Sequence, residues 1–117
     1  MRLMQVSTIV AVLLAGGLLA ARADDSITGE VIDLSCYLHH PDTSHGASHK
    51  KCAETCAKKG LPMGLLTGDK QVYVLLEDHE NPAGYAKAIG SPAETITVEG
   101  TKVNQGGMNG IVVESVK

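Results

Sequence analysis

A chain of 117 residues with thirteen Asp and Glu against ten Lys and Arg carries a formal charge of −3 and contains neither Trp nor Phe. That length suits one small domain, and an acidic balance with few aromatic rings excludes a nucleic-acid surface, which needs a basic footprint and stacking platforms. The core has to be built from Val, Ile, Leu and Met, and a domain of this size often needs a covalent or metal staple.

The first element is a leader. Arg2 precedes an uncharged stretch over residues 3–21, rich in Leu, Ile and Val, which closes on Ala21-Arg22-Ala23 before Asp24-Asp25. A basic start, an apolar centre and an A-x-A site predict a secretory signal peptide over residues 1–23. An uncleaved membrane anchor is the competing reading, because the stretch approaches spanning length. The small residues at the site and the acidic pair beyond it favour cleavage. The mature chain is then a single domain over residues 24–117, periplasmic or secreted from a bacterial cell, with no stable membrane span. Loss of Arg2 and Arg22 makes it more acidic still.

Residues 27–34 (ITGEVIDL) are β-branched and roughly alternating, which predicts a strand with Ile27, Val31 and Ile32 inward and a bend at Gly29. Residues 35–44 read as a connection with turn chemistry at His40-Pro41-Asp42. Ser44 can cap a helix running to about Lys59, Gly60 can close it in the left-handed conformation, and Pro62 stops it. Residues 63–67, a turn at Gly68-Asp69-Lys70 and residues 71–77 (QVYVLLE) predict a hairpin. Asn81-Pro82 opens a short helix over 83–89, ended by Gly90. Residues 94–103, a glycine-rich turn over 104–107 and residues 108–116 predict a final hairpin.

Five strands with a helix between the third and fourth is the order of an OB-like barrel, mainly β with helical insertions, here with a Cys/His-bearing segment over 35–60 between the first two strands. An α+β sheet with that helix on one face is the alternative. The runs GEVIDLSCYL (29–38) and HKKCAETCAKKGLPMGLL (49–66), followed by a Tyr-Val-Leu-Leu strand and a Thr-Val-x-Gly strand, resemble those of a group of small, largely uncharacterised secreted bacterial proteins. The resemblance spans most of the mature chain and implies an OB-like barrel and an extracytoplasmic location. It implies no activity.

The chemistry rests on three thiols and the histidines around them. On a helix, His45, His49, Cys52 and Cys56 fall within an arc of roughly 60°, opposite Lys50, Lys51, Glu54 and Lys58. His45 and Cys56 lie about 16 Å apart along the axis and cannot share an ion, but neighbours one turn apart can. The candidate metal site is therefore Cys36, Cys52 and Cys56 with His49 as fourth ligand, and His39, His40, His45 and Met63 as secondary candidates. Three thiolates and an imidazole suit Zn, and the same soft set suits Cu, the more so with Met63 nearby.

Other readings remain open at this stage. Secreted proteins oxidise their cysteines, and Cys36 with Cys52 or Cys56 is the disulfide alternative, since an i,i+4 bridge between Cys52 and Cys56 would be strained. The chain would then be a disulfide-stapled module presenting its barrel to an envelope protein partner, with one thiol left over. A third reading is a redox protein attacking through Cys52 or Cys56. No C-x-x-C, C-x-x-C-H, H-E-x-x-H or G-x-G-x-x-G is present, so no catalytic residue is assigned and a non-enzymatic role is favoured. Asp78-His79-Glu80 reads as the solvated end of a strand, and Tyr37 and Tyr73 as wall or core residues.

Overall fold

The computed structural model describes residues 25–117, so the predicted leader and its cleavage site lie outside the described residues. Five strands run as β1 Asp25–Asp33, β2 Met63–Leu66, β3 Val72–Glu77, β4 Thr95–Gln105 and β5 Met108–Val116. Three helices connect them: α1 Leu34–His39, α2 Lys50–Lys58 and α3 Pro82–Ile89, with a 3₁₀ turn at Ala47–His49 leading into α2.

The strands close into a barrel in the order β1-β2-β3-β5-β4 and back to β1. All neighbours are antiparallel except β3 and β5, which run parallel from Val74 opposite Gly110 to Glu77 opposite Val113. This is the OB-like arrangement. The β1–β4 ladder, from Asp25 opposite Gly100 to Glu30 opposite Thr95, overturns the open α+β sheet, because no edge is left on either strand over that stretch.

The strand β1 serves two partners in succession, β4 through its first half and β2 through its second. Its inward residues Ile27 and Val31 join Met63, Leu65, Leu75, Val98, Ile111 and Val113 in the barrel's apolar cluster, with Ala88 of α3 packed against them. Ile32 is buried as well, as the sequence predicts. Closing so small a barrel forces sharp strand curvature, and the register shift between Glu99 and Gly100 supplies part of it. A Cβ at Gly100 would lie 1.9 Å from the Val112 carbonyl oxygen, so only glycine allows β4 and β5 to meet there.

Two expectations fail between β1 and β2. The connection after Leu34 is not a plain turn, because Asp33 caps a helix, α1. The helix predicted from Ser44 does not start there either: Gly46 takes φ +79, and the chain becomes helical only at Ala47, first as a 3₁₀ turn. Ser44 is buried but is not the helix cap. The far end behaves as predicted, with Gly60 at φ +74 just beyond α2.

Candidate metal centre

Both segments carrying the thiols are fixed to β1 by carboxylates. Where β1 ends, the Oδ1 of Asp33 accepts the Cys36 backbone N–H at 2.7 Å, satisfying one of the orphan donors of α1. Its other oxygen, Oδ2, lies 2.7 Å from His49 Nε2. An ionised carboxylate can only accept, so His49 donates from Nε2, and the lone pair of the neutral ring sits on Nδ1. Three residues further back along β1, Glu30 Oε2 accepts the Gly46 N–H at 2.7 Å and pins the loop between the helices. The two ends of the whole connection meet where Leu34 N–H donates to the Pro62 carbonyl at 3.0 Å.

This scaffold brings the sulfurs together. Cys36 Sγ and Cys52 Sγ are 3.8 Å apart. The ligand atoms of Cys36, His49 and Cys52 lie within 4.8 Å of one another, and so do those of Asp33, Cys36 and Cys56. The sets share Cys36, so the four residues nominated from the sequence lie close together as two overlapping triads, with the buried Asp33 in the one that holds Cys56. With a metal–sulfur bond of about 2.3 Å, the edge of a tetrahedron is about 3.8 Å, and the Cys36–Cys52 separation matches it.

The environment is graded from inside to outside. Asp33 is wholly buried, Cys56 is buried, Cys36 is half-buried and Cys52 is exposed. Burial of Asp33 favours its protonated form. That effect is outweighed by the hydrogen bonds from the Cys36 N–H, the Cys36 thiol and His49, together with the attraction of His49, and its carboxyl is held below the usual range. The same carboxylate works against the thiols. Cys36, hydrogen-bonded to Asp33, partly desolvated and next to Cys52, is pushed from 9.0 up to about 12. Cys56 is also raised, first by burial and then by the charge of Asp33 and the proximity of Cys52. Without a cation these two sulfurs keep their protons, so neither is an activated nucleophile. A cation placed among them would offset the charge of Asp33 and displace those protons.

The secondary candidates do not join the cluster. His39 and His40, tilted against each other at 6.2 Å at the end of α1, are exposed. His45 is exposed too, because Gly46 breaks the helix that would have carried it onto the stripe. Met63 is turned into the barrel core and belongs to the apolar cluster. Asp78, His79 and Glu80 follow β3 as a turn in which Asp78 accepts the Glu80 N–H, with His79 and Glu80 exposed. Tyr73 packs against the barrel cluster under the Lys102 ammonium, and Tyr37 is half-buried on α1.

Sequence reasoning missed Asp33, the residue that organises the site. Its signal was present: an Asp three residues before Cys36, placed to cap a turn beginning at Leu34. The alternation of the preceding strand absorbed it. Comparison with protein-family models, with curated proteins and with solved structures gave no match to this chain.

Proposed function

We propose that the protein binds one soft transition-metal ion, Zn(II) or Cu(I), through Cys36, Cys52, Cys56 and His49, in the compartment beyond the inner membrane to which its leader would direct it. The observation that carries this reading is the clustering around Cys36 of two further thiols and an imidazole, in two overlapping triads, with two sulfurs spaced at the edge of a metal tetrahedron. Asp33 supports it in two ways. It orients His49 as outer carboxylates orient metal-bound imidazoles, and its buried negative charge favours a cation among the thiols. What the ion contributes when bound is its own affinity for thiolate sulfur. The chain contributes the spacing, the orientation of the ring and the partial exclusion of water.

Native mass spectrometry of protein purified without a metal-binding tag tests the reading. About one Zn or Cu per chain is expected, as in a closed set of four ligands, with loss of the metal when Cys36 and Cys52 are both replaced by Ser. A chain that takes up neither ion after reduction and reloading overturns it.

The Cys36–Cys52 spacing supports a second reading as well, since a small side-chain rotation would bring the two sulfurs to bonding distance. The protein would then be a disulfide-stapled module for an envelope protein partner. The same sample separates the two: a metal-free chain with Cys36 joined to Cys52 and Cys56 alone open to alkylation is the expected state of the stapled module.

A further inference from the structure

We infer that the metal is exchangeable cargo, passed through Cys52 by ligand substitution to an anionic thiol acceptor, and that it is not a staple of the fold. The inference rests on the metal reading above and adds to it the route of exchange and the chemistry of the acceptor.

The fold stands without the ion. The apolar cluster that fills the barrel, from Ile27 and Val31 to Ile111 and Val113, contains none of the three thiols. The Cys/His segment is tied to β1 by contacts independent of any ligand: Asp33 to the Cys36 N–H, Glu30 to the Gly46 N–H, and Leu34 N–H to the Pro62 carbonyl. Removing a metal would disturb neither the cluster nor the ties.

The site has one open side. Cys56 is 9% exposed and the His49 side chain 15%, while Cys52 is exposed outright. His49 and Cys36 are anchored through Asp33, whereas among the described residues the Cys52 sulfur has only its thiol neighbours, Cys36 at 3.8 Å and Cys56. An exposed, weakly anchored ligand is the one an incoming donor can reach and displace. Positive charge lies on the same helix, mostly on the face turned away from the sulfurs. Lys50 and Lys51 immediately precede Cys52, Lys58 and Lys59 end the same helix, and all four are exposed on a chain that is acidic overall, with Lys50 3.9 Å from the Glu94 carboxylate. At long range the lysines draw anionic groups to the helix that carries the exposed sulfur.

The exchange step balances without a redox partner. The acceptor thiol gives up its proton and its sulfur bonds the metal. The Cys52–metal bond breaks, and Cys52 takes up one proton. No electrons change hands. A small anionic thiol and a cysteine on an acidic protein surface share this chemistry.

The test uses the purified protein loaded with Zn(II), with glutathione as the anionic thiol, 2-mercaptoethanol as the neutral one, an acidic two-cysteine peptide as the protein-like acceptor, and a chromogenic indicator for released zinc. Release should rise in proportion to thiol concentration and run faster with glutathione than with 2-mercaptoethanol at equal thiolate. Lys50→Glu with Lys51→Glu should abolish that difference. Transfer to the peptide at lower concentrations than to glutathione assigns the acceptor to a protein, and the reverse assigns it to a small thiol. N-ethylmaleimide should modify Cys52 of the loaded protein before Cys36 or Cys56, and metal-free protein should still unfold cooperatively. Release independent of thiol concentration, simultaneous labelling of the three cysteines, or a metal-free chain without a cooperative transition overturns the inference while leaving metal binding intact. Failure to take up Zn(II) or Cu(I) at all overturns the metal reading itself.

Discussion

The barrel wall and the connection between β1 and β2 are built on opposite terms. The wall is apolar and continuous, with Val31, Leu65, Val98, Ile111 and Val113 at 0% exposure and every strand paired on both sides over part of its length. The connection buries little. Its two helices span six and nine residues, too short to persist alone, and it is held by polar contacts converging on Asp33 and Glu30. Stability is thus concentrated in one region and chemistry in the other, and substitutions should affect one property without the other. Asp33, the last residue of β1, is where the two meet.

The largest separation is expected from the thiols. Cys36→Ser with Cys52→Ser should take metal content from about one per chain to none, while thermal unfolding of the metal-free barrel stays close to that of the unsubstituted metal-free chain. The converse comes from the wall. Leu65→Ala or Ile111→Ala removes a fully buried side chain and should cost about 2–5 kcal/mol in denaturant unfolding, with metal stoichiometry of the folded fraction unchanged. If Leu65→Ala also empties the site, the two regions are not separable.

Asp33→Ala should affect both. Losing a helix cap and a charge-assisted hydrogen bond from a buried position is expected to cost about 2–4 kcal/mol. Loss of the carboxylate behind His49 should weaken metal binding by about 10–100-fold in a competition titration. Ordinary affinity in this variant would show that the imidazole needs no partner.

Smaller effects follow from pH. The carboxyl of Asp33 has a lower pKa folded than unfolded, so its contribution is in place at neutral pH and is lost as pH falls from about 4 through the folded value. Asp33→Asn should flatten that acid limb of the stability curve. Cys36 has the opposite sense. Its thiol is held protonated up to about 12, so its contribution is present below pH 9.0 and lost as pH rises between the two values. Cys36→Ala should remove that part of the alkaline loss in metal-free protein. The smallest effect belongs to Lys117, whose ammonium meets Glu99 at the surface; Lys117→Ala should leave the unfolding midpoint unchanged within error.

Much of the wall is legible in the sequence because period-two burial and glycine turns are local signals. The strands at 71–77 and 108–116 and the helix ended by Gly90 are found within a residue or two of their places. The closure of β1 on β4 is a non-local pairing, so the order of elements could suggest it without distinguishing it from an open sheet. The connection was harder to read. A perfect helical stripe from His45 to Cys56 is a regularity of side-chain spacing, and one backbone at positive φ, Gly46, ends it. Cys52, Cys56 and His49 survived that error because they lie on the helical side of the break. Asp33 was hidden because a strand's last residue and a helix's cap occupy the same position, and alternation describes only the first of these roles.

The Leu34–Pro62 hydrogen bond carries one more consequence. Because the strands on either side of it are already paired, from Asp33 opposite Met63 to Glu30 opposite Leu66, the intervening stretch begins and ends at a single point on the wall. A loop with coincident ends can be lengthened, exchanged or grafted between two adjacent strands of another host at little conformational expense to that host. With Asp33 carried along, the ligand set is in effect a portable cassette.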